Sequence, residues 1–179
     1  MKGVVFTGFL DLVEENFGYD MVDKIITDSD LPSGGVYTSI GTYPHREIVQ
    51  LVVQLSKHTE IPISKLLKLY GLHFFSVLAA QYGHFLTKVT SAFQLLESIH
   101  NYIHVEVKKL YPDAELPHFE TNRIDENTLE MIYSSERKMS DFAEGLIESC
   151  LKHYGETAVI EKNNLVEDGS KVRFLITKQ

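Results

Sequence analysis

Residues 104–137, HVEVKKLYPDAELPHFETNRIDENTLEMIYSSER, contain the point at which the chain changes from helix to strand. Up to Leu110 the apolar residues recur every three or four positions, as on one face of an amphipathic helix. Pro112 ends that helix, because proline has no amide hydrogen to donate. After Pro117 apolar and polar residues alternate with a period of two, which is typical of half-buried strands. The stretch therefore predicts a helical segment followed by antiparallel strands.

Upstream of this point the chain has the periodicity of helices. Gly18 predicts the end of the first helix, Pro62 the start of a long one, and Gly83 a break. The expected helices are residues 4 to about 18, about 20–27, about 45–59, 64 to about 80, and about 90–110.

Downstream of Pro117 the pattern predicts strands with one helix between them. The expected strands are residues 118–122, 128–137, 157–162 and 171–177, and the helix is about 140–154. Helices that precede an antiparallel sheet of about four strands indicate an α+β fold rather than an α/β fold. No repeat, low-complexity stretch or linker divides the chain, so we expect residues 1–179 to form a single domain.

The composition excludes several classes of function. The chain has 25 acidic and 17 basic residues and a formal charge of −8, which disfavours binding to nucleic acid or to anionic membranes. A single cysteine, Cys150, rules out an internal disulfide and any multi-cysteine metal site. The amino-terminal residues have no signal-peptide pattern, and the longest strongly apolar run, residues 72–80, is about half of a membrane span. We therefore expect a cytoplasmic protein.

Two histidines, His100 and His104, stand four residues apart on the last predicted helix of the first half. This is the spacing of the HExxH zinc motif, but the second position is Asn101 rather than glutamate. A metal-dependent hydrolase that uses both histidines is one hypothesis, although no third ligand or general base is evident.

Tyr133, Ser135 and Arg137 alternate along a predicted strand, so their side chains are expected on one face. A phenol, a hydroxyl and a guanidinium together are suited to binding carboxylates. A solvent-exposed strand edge would have the same alternation. A second hypothesis is accordingly a binding module in which Arg137 holds an acidic small molecule or peptide.

Apolar and aromatic residues are in excess on several helices. Most such residues pack in a core, but a large flat ligand would need a similar lining. A histidine able to bind a metal, a group able to hold carboxylates and an aromatic pocket together describe a heme site. The residues concerned are Val5, Phe9, His73, Phe74, Phe75, Leu78, Phe93, Phe142 and Leu146.

The sequence resembles the heme-nitric oxide/oxygen binding (H-NOX) domains, which include stand-alone bacterial sensors and the heme domain of soluble guanylate cyclase. The resemblance extends from Met1-Lys-Gly3, through His104, Tyr111-Pro112 and Pro117, to the Tyr-x-Ser-x-Arg motif at residues 133–137. It covers nearly the whole chain.

The resemblance implies a role for each matching residue. His104 corresponds to the axial ligand of a heme b iron, Pro117 to the residue that distorts the porphyrin, and Tyr133, Ser135 and Arg137 to the propionate clamp. Oxygen-binding members carry a tyrosine at the position of Phe142, and a phenylalanine cannot donate a hydrogen bond to bound oxygen. The residues matching the distal wall are Val5, Phe9, Phe74, Phe142 and Leu146.

The resemblance also implies a function. We expect a non-catalytic sensor that binds nitric oxide, or carbon monoxide, but not oxygen, on a heme buried between the helical half and the sheet. Loosening of the iron–His104 bond would shift the two halves and regulate a separate protein, either a sensor histidine kinase or a cyclic-di-GMP enzyme. With Cys150 alone, no zinc site is expected.

Overall fold

The computed structural model describes all 179 residues and contains seven α-helices, one π-helical segment and four strands. This α+β architecture confirms the fold class predicted from the change of period. The elements are α1 (Val4–Phe17), α2 (Tyr19–Thr27), α3 (His45–Thr59), α4 (Ile63–Leu86), α5 (Ala92–Ser98), the π segment (Ile99–Ile103), α6 (His104–Leu110), β1 (His118–Arg123), β2 (Thr128–Ser134), α7 (Ser140–His153), β3 (Ala158–Asn164) and β4 (Lys171–Lys178).

Three predicted boundaries differ from the structure. The expected helix 90–110 is divided into α5, the π segment and α6, because residues 99–103 form the wider π turn. Helix α4 continues past the predicted break to Leu86, with a kink at Tyr82, whose φ and ψ are −124° and 28°. Strand β2 ends at Ser134, so the residues that follow belong to a turn rather than to the strand.

The four strands form one antiparallel sheet in the order β1-β2-β4-β3. In the β2 register Tyr133 pairs with Phe119 on one side and with Val172 on the other. Alternate residues of β2 and β4 are buried, as the period of two requires. The buried face of the sheet packs against α5 and α7 and forms one of two apolar clusters in the molecule.

The second apolar cluster lies within the helical half, formed by α1 to α4. Phe6, Phe9, Ile48 and Tyr70 are completely buried there. Helices α4 and α7 connect the two clusters by crossing at a glycine contact. A Cβ atom on Gly71 would lie 2.2 Å from the Phe142 carbonyl oxygen, so the close approach of the two helices depends on glycine.

Helix α4 is also long and apolar enough, by length and composition alone, to cross a membrane. Part of its apolar surface is used inside the molecule. Leu66, Leu67 and Tyr70 are buried in the helical cluster, while Phe75 and Leu78 line a cavity between the two clusters. Packing within the protein and contact with the cavity therefore account for part of the hydropathy of this helix.

Candidate functional site

A cavity of about 620 Å³ separates the two apolar clusters. Of its 34 lining residues 26 are hydrophobic, and its volume falls within the ~300–1,000 Å³ typical of ligand pockets. Helices α1, α4 and α7 contribute one part of the lining. The π segment, α6 and the loop at residues 111–117 contribute another. Such a cavity suits a large apolar ligand that is oriented by few polar groups.

His104 is the first residue of α6 and lines this cavity. Its Nδ1 atom is buried and has no hydrogen-bond partner in the protein. Burial, followed by the nearby His100, Lys108 and His118, lowers the pKa of His104 to about 4. The imidazole is therefore neutral near pH 7, which is the protonation state that coordinates a metal.

His100 does not share the environment of His104. Its ring lies 4.1 Å from that of His118 and 6.2 Å from that of His104, measured between centroids, and it is not among the cavity-lining residues. The π turn changes the register that an α-helix would give residues four apart. No group of three or more His, Cys, Asp or Glu side chains could hold a metal ion. The geometry thus does not support the hydrolase hypothesis.

Tyr133, Ser135 and Arg137 all line the cavity, although only Tyr133 lies in β2. The hydroxyl oxygen of Tyr133 accepts a hydrogen bond from the Met139 amide at 3.0 Å, and Ser135 Oγ accepts one from the Arg137 amide at 3.2 Å. Each hydroxyl is an acceptor in these bonds, so its own proton remains able to donate. The three residues line one cavity, and Ser135 and Arg137 belong to the turn after β2, so strand alternation does not explain their position.

Arg137 makes two hydrogen bonds to one residue that the sequence analysis did not identify. Its Nη1 donates to the Glu115 carbonyl oxygen at 2.8 Å and its Nη2 to Glu115 Oε2 at 2.9 Å. Glu115 belongs to the loop at residues 111–117, as does Pro117, which also lines the cavity. No periodic signal in the sequence could have found Glu115, because it is a loop residue that pairs across 22 positions of the chain.

The apolar wall contains four of the five residues predicted for it. Val5, Phe74, Phe142 and Leu146 line the cavity, and the rings of Phe74 and Phe142 lie 5.6 Å apart. Phe9 differs, because it is completely buried in the helical cluster and is not among the lining residues. A sequence match cannot distinguish a residue in the wall from one packed behind it.

Tyr70 stands behind this wall and brings a hydroxyl group close to it. Its ring lies 4.8 Å from Phe142 and 5.3 Å from Phe9, and the residue is completely buried. The Tyr70 hydroxyl donates to the Val5 carbonyl oxygen, and burial raises its pKa well above the usual value. The proton of this hydroxyl is consequently engaged within the protein.

Cys150 also lines the cavity but has no sign of reactivity. The residue is almost completely buried, and burial raises the pKa of its thiol to about 12. A neutral buried thiol acts as a small hydrophobic side chain.

The residues present fit an iron porphyrin. A neutral imidazole with an unpartnered buried nitrogen suits the iron, and an apolar cavity suits the ring. Two hydroxyls and a guanidinium suit the propionates.

Comparison with known proteins agrees with this chemistry. The family model described as Haem-NO-binding matches residues 2–162. The chain belongs to this family. The membership confirms the resemblance to H-NOX domains, a family of heme-based gas sensors.

Solved structures of H-NOX proteins superpose closely on this one. The Fe(II) unliganded protein from K. algicida is 49% identical, with a TM-score of 0.96, over 100% of this chain and 97% of that one. The protein from Shewanella woodyi, bound to IWP-051 in the Fe(II)CO state, is 39% identical, with a TM-score of 0.84, over 100% and 95%. The protein from S. oneidensis in the Fe(II)NO state is 27% identical, with a TM-score of 0.90, over 100% and 99%. No curated protein matches the chain.

Proposed function

We propose that this protein is a cytoplasmic, non-catalytic nitric oxide sensor, in which residues 1–179 act as one domain around a heme b. One observation carries the proposal: a neutral, buried imidazole without a partner lies in the lining of the same cavity as three donors suited to carboxylates. A hydrolase, or a binding module without heme, would not need an apolar cavity lined by both the imidazole and these donors.

Each part of the cavity has a separate task. His104 presents a neutral ring nitrogen, Tyr133 and Ser135 donate their hydroxyl protons, and Arg137 supplies a positive charge. His104 would hold the iron of a heme bound here, and that iron would supply a centre able to bind a diatomic gas. The apolar lining excludes water from the cavity, and Pro117 contributes to that lining from the loop at residues 111–117.

The wall formed by Val5, Phe74, Phe142 and Leu146 favours nitric oxide over oxygen. Bound dioxygen acquires negative charge and needs a hydrogen-bond donor, whereas nitric oxide does not. None of these four side chains has an N–H or O–H group, and the nearby Tyr70 hydroxyl already donates to Val5. The S. oneidensis and S. woodyi proteins in the Fe(II)NO and Fe(II)CO states support a diatomic gas as the ligand class.

A route for the signal leads from His104 to the amino-terminal part of the chain. Helix α6 continues into the loop that carries Asp113, and Asp113 accepts hydrogen bonds from Lys2 at 3.3 Å and from Thr42 at 2.7 Å. Movement of α6 would act on these bonds and shift the helical half relative to the sheet, giving two states with different surfaces. A sensor histidine kinase or a cyclic-di-GMP enzyme would respond to that shift.

An absorption spectrum of the purified full chain tests the proposal. We expect a coloured protein with a heme Soret band, a five-coordinate nitrosyl spectrum after reduction with dithionite and addition of nitric oxide, and no oxygen complex in air. A colourless protein would overturn the heme assignment. A stable oxygen complex would overturn the selectivity for nitric oxide alone.

A further inference from the structure

Arg137 is held by a carboxylate of the protein itself, and that contact bears on how the cavity takes up its ligand. The Arg137 side chain is 12% exposed, whereas the Glu115 side chain is 80% exposed. The guanidinium is therefore fixed at the cavity, while the carboxylate that it binds remains largely in solvent.

The two hydrogen bonds from Arg137 to Glu115 differ in kind. Nη1 donates to the main-chain carbonyl oxygen, which is neutral and fixed by the loop. Nη2 donates to the side-chain carboxylate, which is charged and able to rotate into water. An ion pair in which one partner is so exposed contributes little to the free energy of unfolding. Replacing the Glu115 carboxylate by another carboxylate therefore costs little free energy.

We propose that the Glu115 carboxylate is a placeholder for a carboxylate of the ligand. The Glu115 carbonyl oxygen keeps the guanidinium oriented, and the ligand's carboxylate displaces the Glu115 side chain from Nη2. Two carboxylates on one guanidinium would repel each other, so the side chain leaves when the ligand arrives. This inference rests on the proposed function, since it takes a porphyrin dicarboxylate as the ligand.

Asp113, in the same loop, also forms an ion pair, and its contacts show why Glu115 rather than Asp113 is the placeholder. The Asp113 carboxylate accepts from both Thr42 and Lys2, and these hydrogen bonds lower its pKa. Removing the Asp113 carboxylate would break the Lys2 ion pair and leave the Thr42 hydroxyl without its acceptor, whereas removing the Glu115 side chain leaves Arg137 still bonded to a carbonyl oxygen. The Glu115 carboxylate can therefore leave Arg137 while the guanidinium keeps one acceptor, the Glu115 carbonyl oxygen.

The rate at which the full-chain holoprotein loses heme to excess apomyoglobin tests the placeholder. Glu115→Gln keeps the main-chain contact and removes the charge that competes for Arg137. We expect this variant to lose heme about two- to five-fold more slowly than wild type, the range of an exposed ion pair. The control Glu126→Gln, which removes an exposed carboxylate from the β1–β2 turn, should lose heme at the wild-type rate.

Two further arms decide whether Glu115 acts through Arg137. In an Arg137→Gln background the added Glu115→Gln change should have no effect on the rate, as in a double-mutant cycle of a direct contact. With iron protoporphyrin IX dimethyl ester, which has no carboxylate, Glu115→Gln should also have no effect. If Arg137→Gln retains too little heme for a rate to be measured, the experiment with the dimethyl ester alone decides whether Glu115 acts through Arg137.

The outcomes separate this inference from the proposed function. Faster heme loss from Glu115→Gln would make Glu115 a positioning residue and overturn the placeholder, as would an unchanged rate. If Glu115→Gln still slowed heme loss in the Arg137→Gln background or with the ester, its effect would come from long-range charge. That result would likewise overturn the placeholder proposal. A wild-type chain that binds no heme would instead overturn the proposed function.

Discussion

At the scale of single residues, His104 and His100 differ in what they face. Both rings have a buried Nδ1 without a partner, but only His104 lines the cavity, while His100 packs against His118. Two histidines that look equivalent in the sequence therefore receive different roles.

The first prediction separates these roles. His104→Gly removes the proposed axial ligand, so its reduced heme spectrum should change from that of the wild type, and added imidazole should restore it. His100→Gly is the matched control and should keep the wild-type spectrum. Absorption spectra of both reduced variants make the comparison, and an unchanged spectrum for His104→Gly without imidazole would refute the assignment.

A second prediction at this scale concerns Phe142. Phe142→Tyr adds a hydroxyl to an apolar wall, and a donor there would stabilise the negative charge on bound oxygen. We expect the reduced variant in air to acquire the spectrum of an oxygen complex that the wild type lacks.

The matched control for Phe142→Tyr is Tyr70→Phe. It removes a hydroxyl that already donates to the Val5 carbonyl, so adding it to Phe142→Tyr should leave the oxygen complex of that variant unchanged. The free energy of unfolding of Tyr70→Phe alone should fall by about 1 kcal/mol, the net value of one hydrogen bond. If Tyr70→Phe altered oxygen binding, the Tyr70 hydroxyl would belong to the wall.

At the scale of elements, the crossing of α4 and α7 sets the shape of the apolar wall. Phe74 lies on α4, and Phe142 and Leu146 lie on α7, so the distance between these helices determines the width of the cavity. Glycines on both helices permit the contact, since a Cβ on Gly145 would lie 2.2 Å from the Lys68 carbonyl oxygen.

The third prediction tests this crossing. Gly71→Ala places a methyl group 2.2 Å from the Phe142 carbonyl oxygen, so the helices must separate. We expect the variant to be about 1–3 kcal/mol less stable than wild type, the usual cost of overpacking, in chemical denaturation of the holoprotein.

Gly83→Ala is the control on the same helix. A Cβ at Gly83 meets nothing within 4 Å, and the helix propensity gained is similar. The control should match or exceed the stability of the wild type. Equal stability of the two alanine variants would show that the crossing tolerates a side chain.

The π segment is the element that sequence patterns could not predict. Residues 99–103 have the apolar spacing of a continuous helix, but the wider turn places His104 at the start of a new helix. π turns are rare and frequently occur at functional sites, and here the turn comes directly before the cavity-lining His104.

At the scale of the whole molecule, two apolar clusters meet around a cavity instead of forming one continuous core. A ligand that fills the cavity buries surface from both clusters at once. Binding to the folded state alone stabilises that state by mass action.

The fourth prediction follows from this arrangement. Heme removal should lower the melting temperature of the full chain by about 5–10 °C. This corresponds to about 2.7 kcal/mol, the stabilisation at a ligand concentration one hundred times Kd. Thermal unfolding of the purified holoprotein, the stripped protein and the reconstituted protein gives the measurement. Reconstitution should restore the original value, and a stripped protein as stable as the holoprotein would show that the clusters do not depend on heme.

The sequence by itself determined the α+β class and the helix-to-strand change at Pro117, since both follow from local periodicity and from proline's missing donor. Short spacings also indicated His104 and the Tyr133–Arg137 motif, and the resemblance to H-NOX domains implied the role of Pro117. Only the tertiary structure decided that Phe9 lies behind the wall, that His100 packs against His118 outside the cavity lining, and that Glu115 holds Arg137. These three features depend on how distant elements pack, and no local pattern records a contact between segments that meet only after folding.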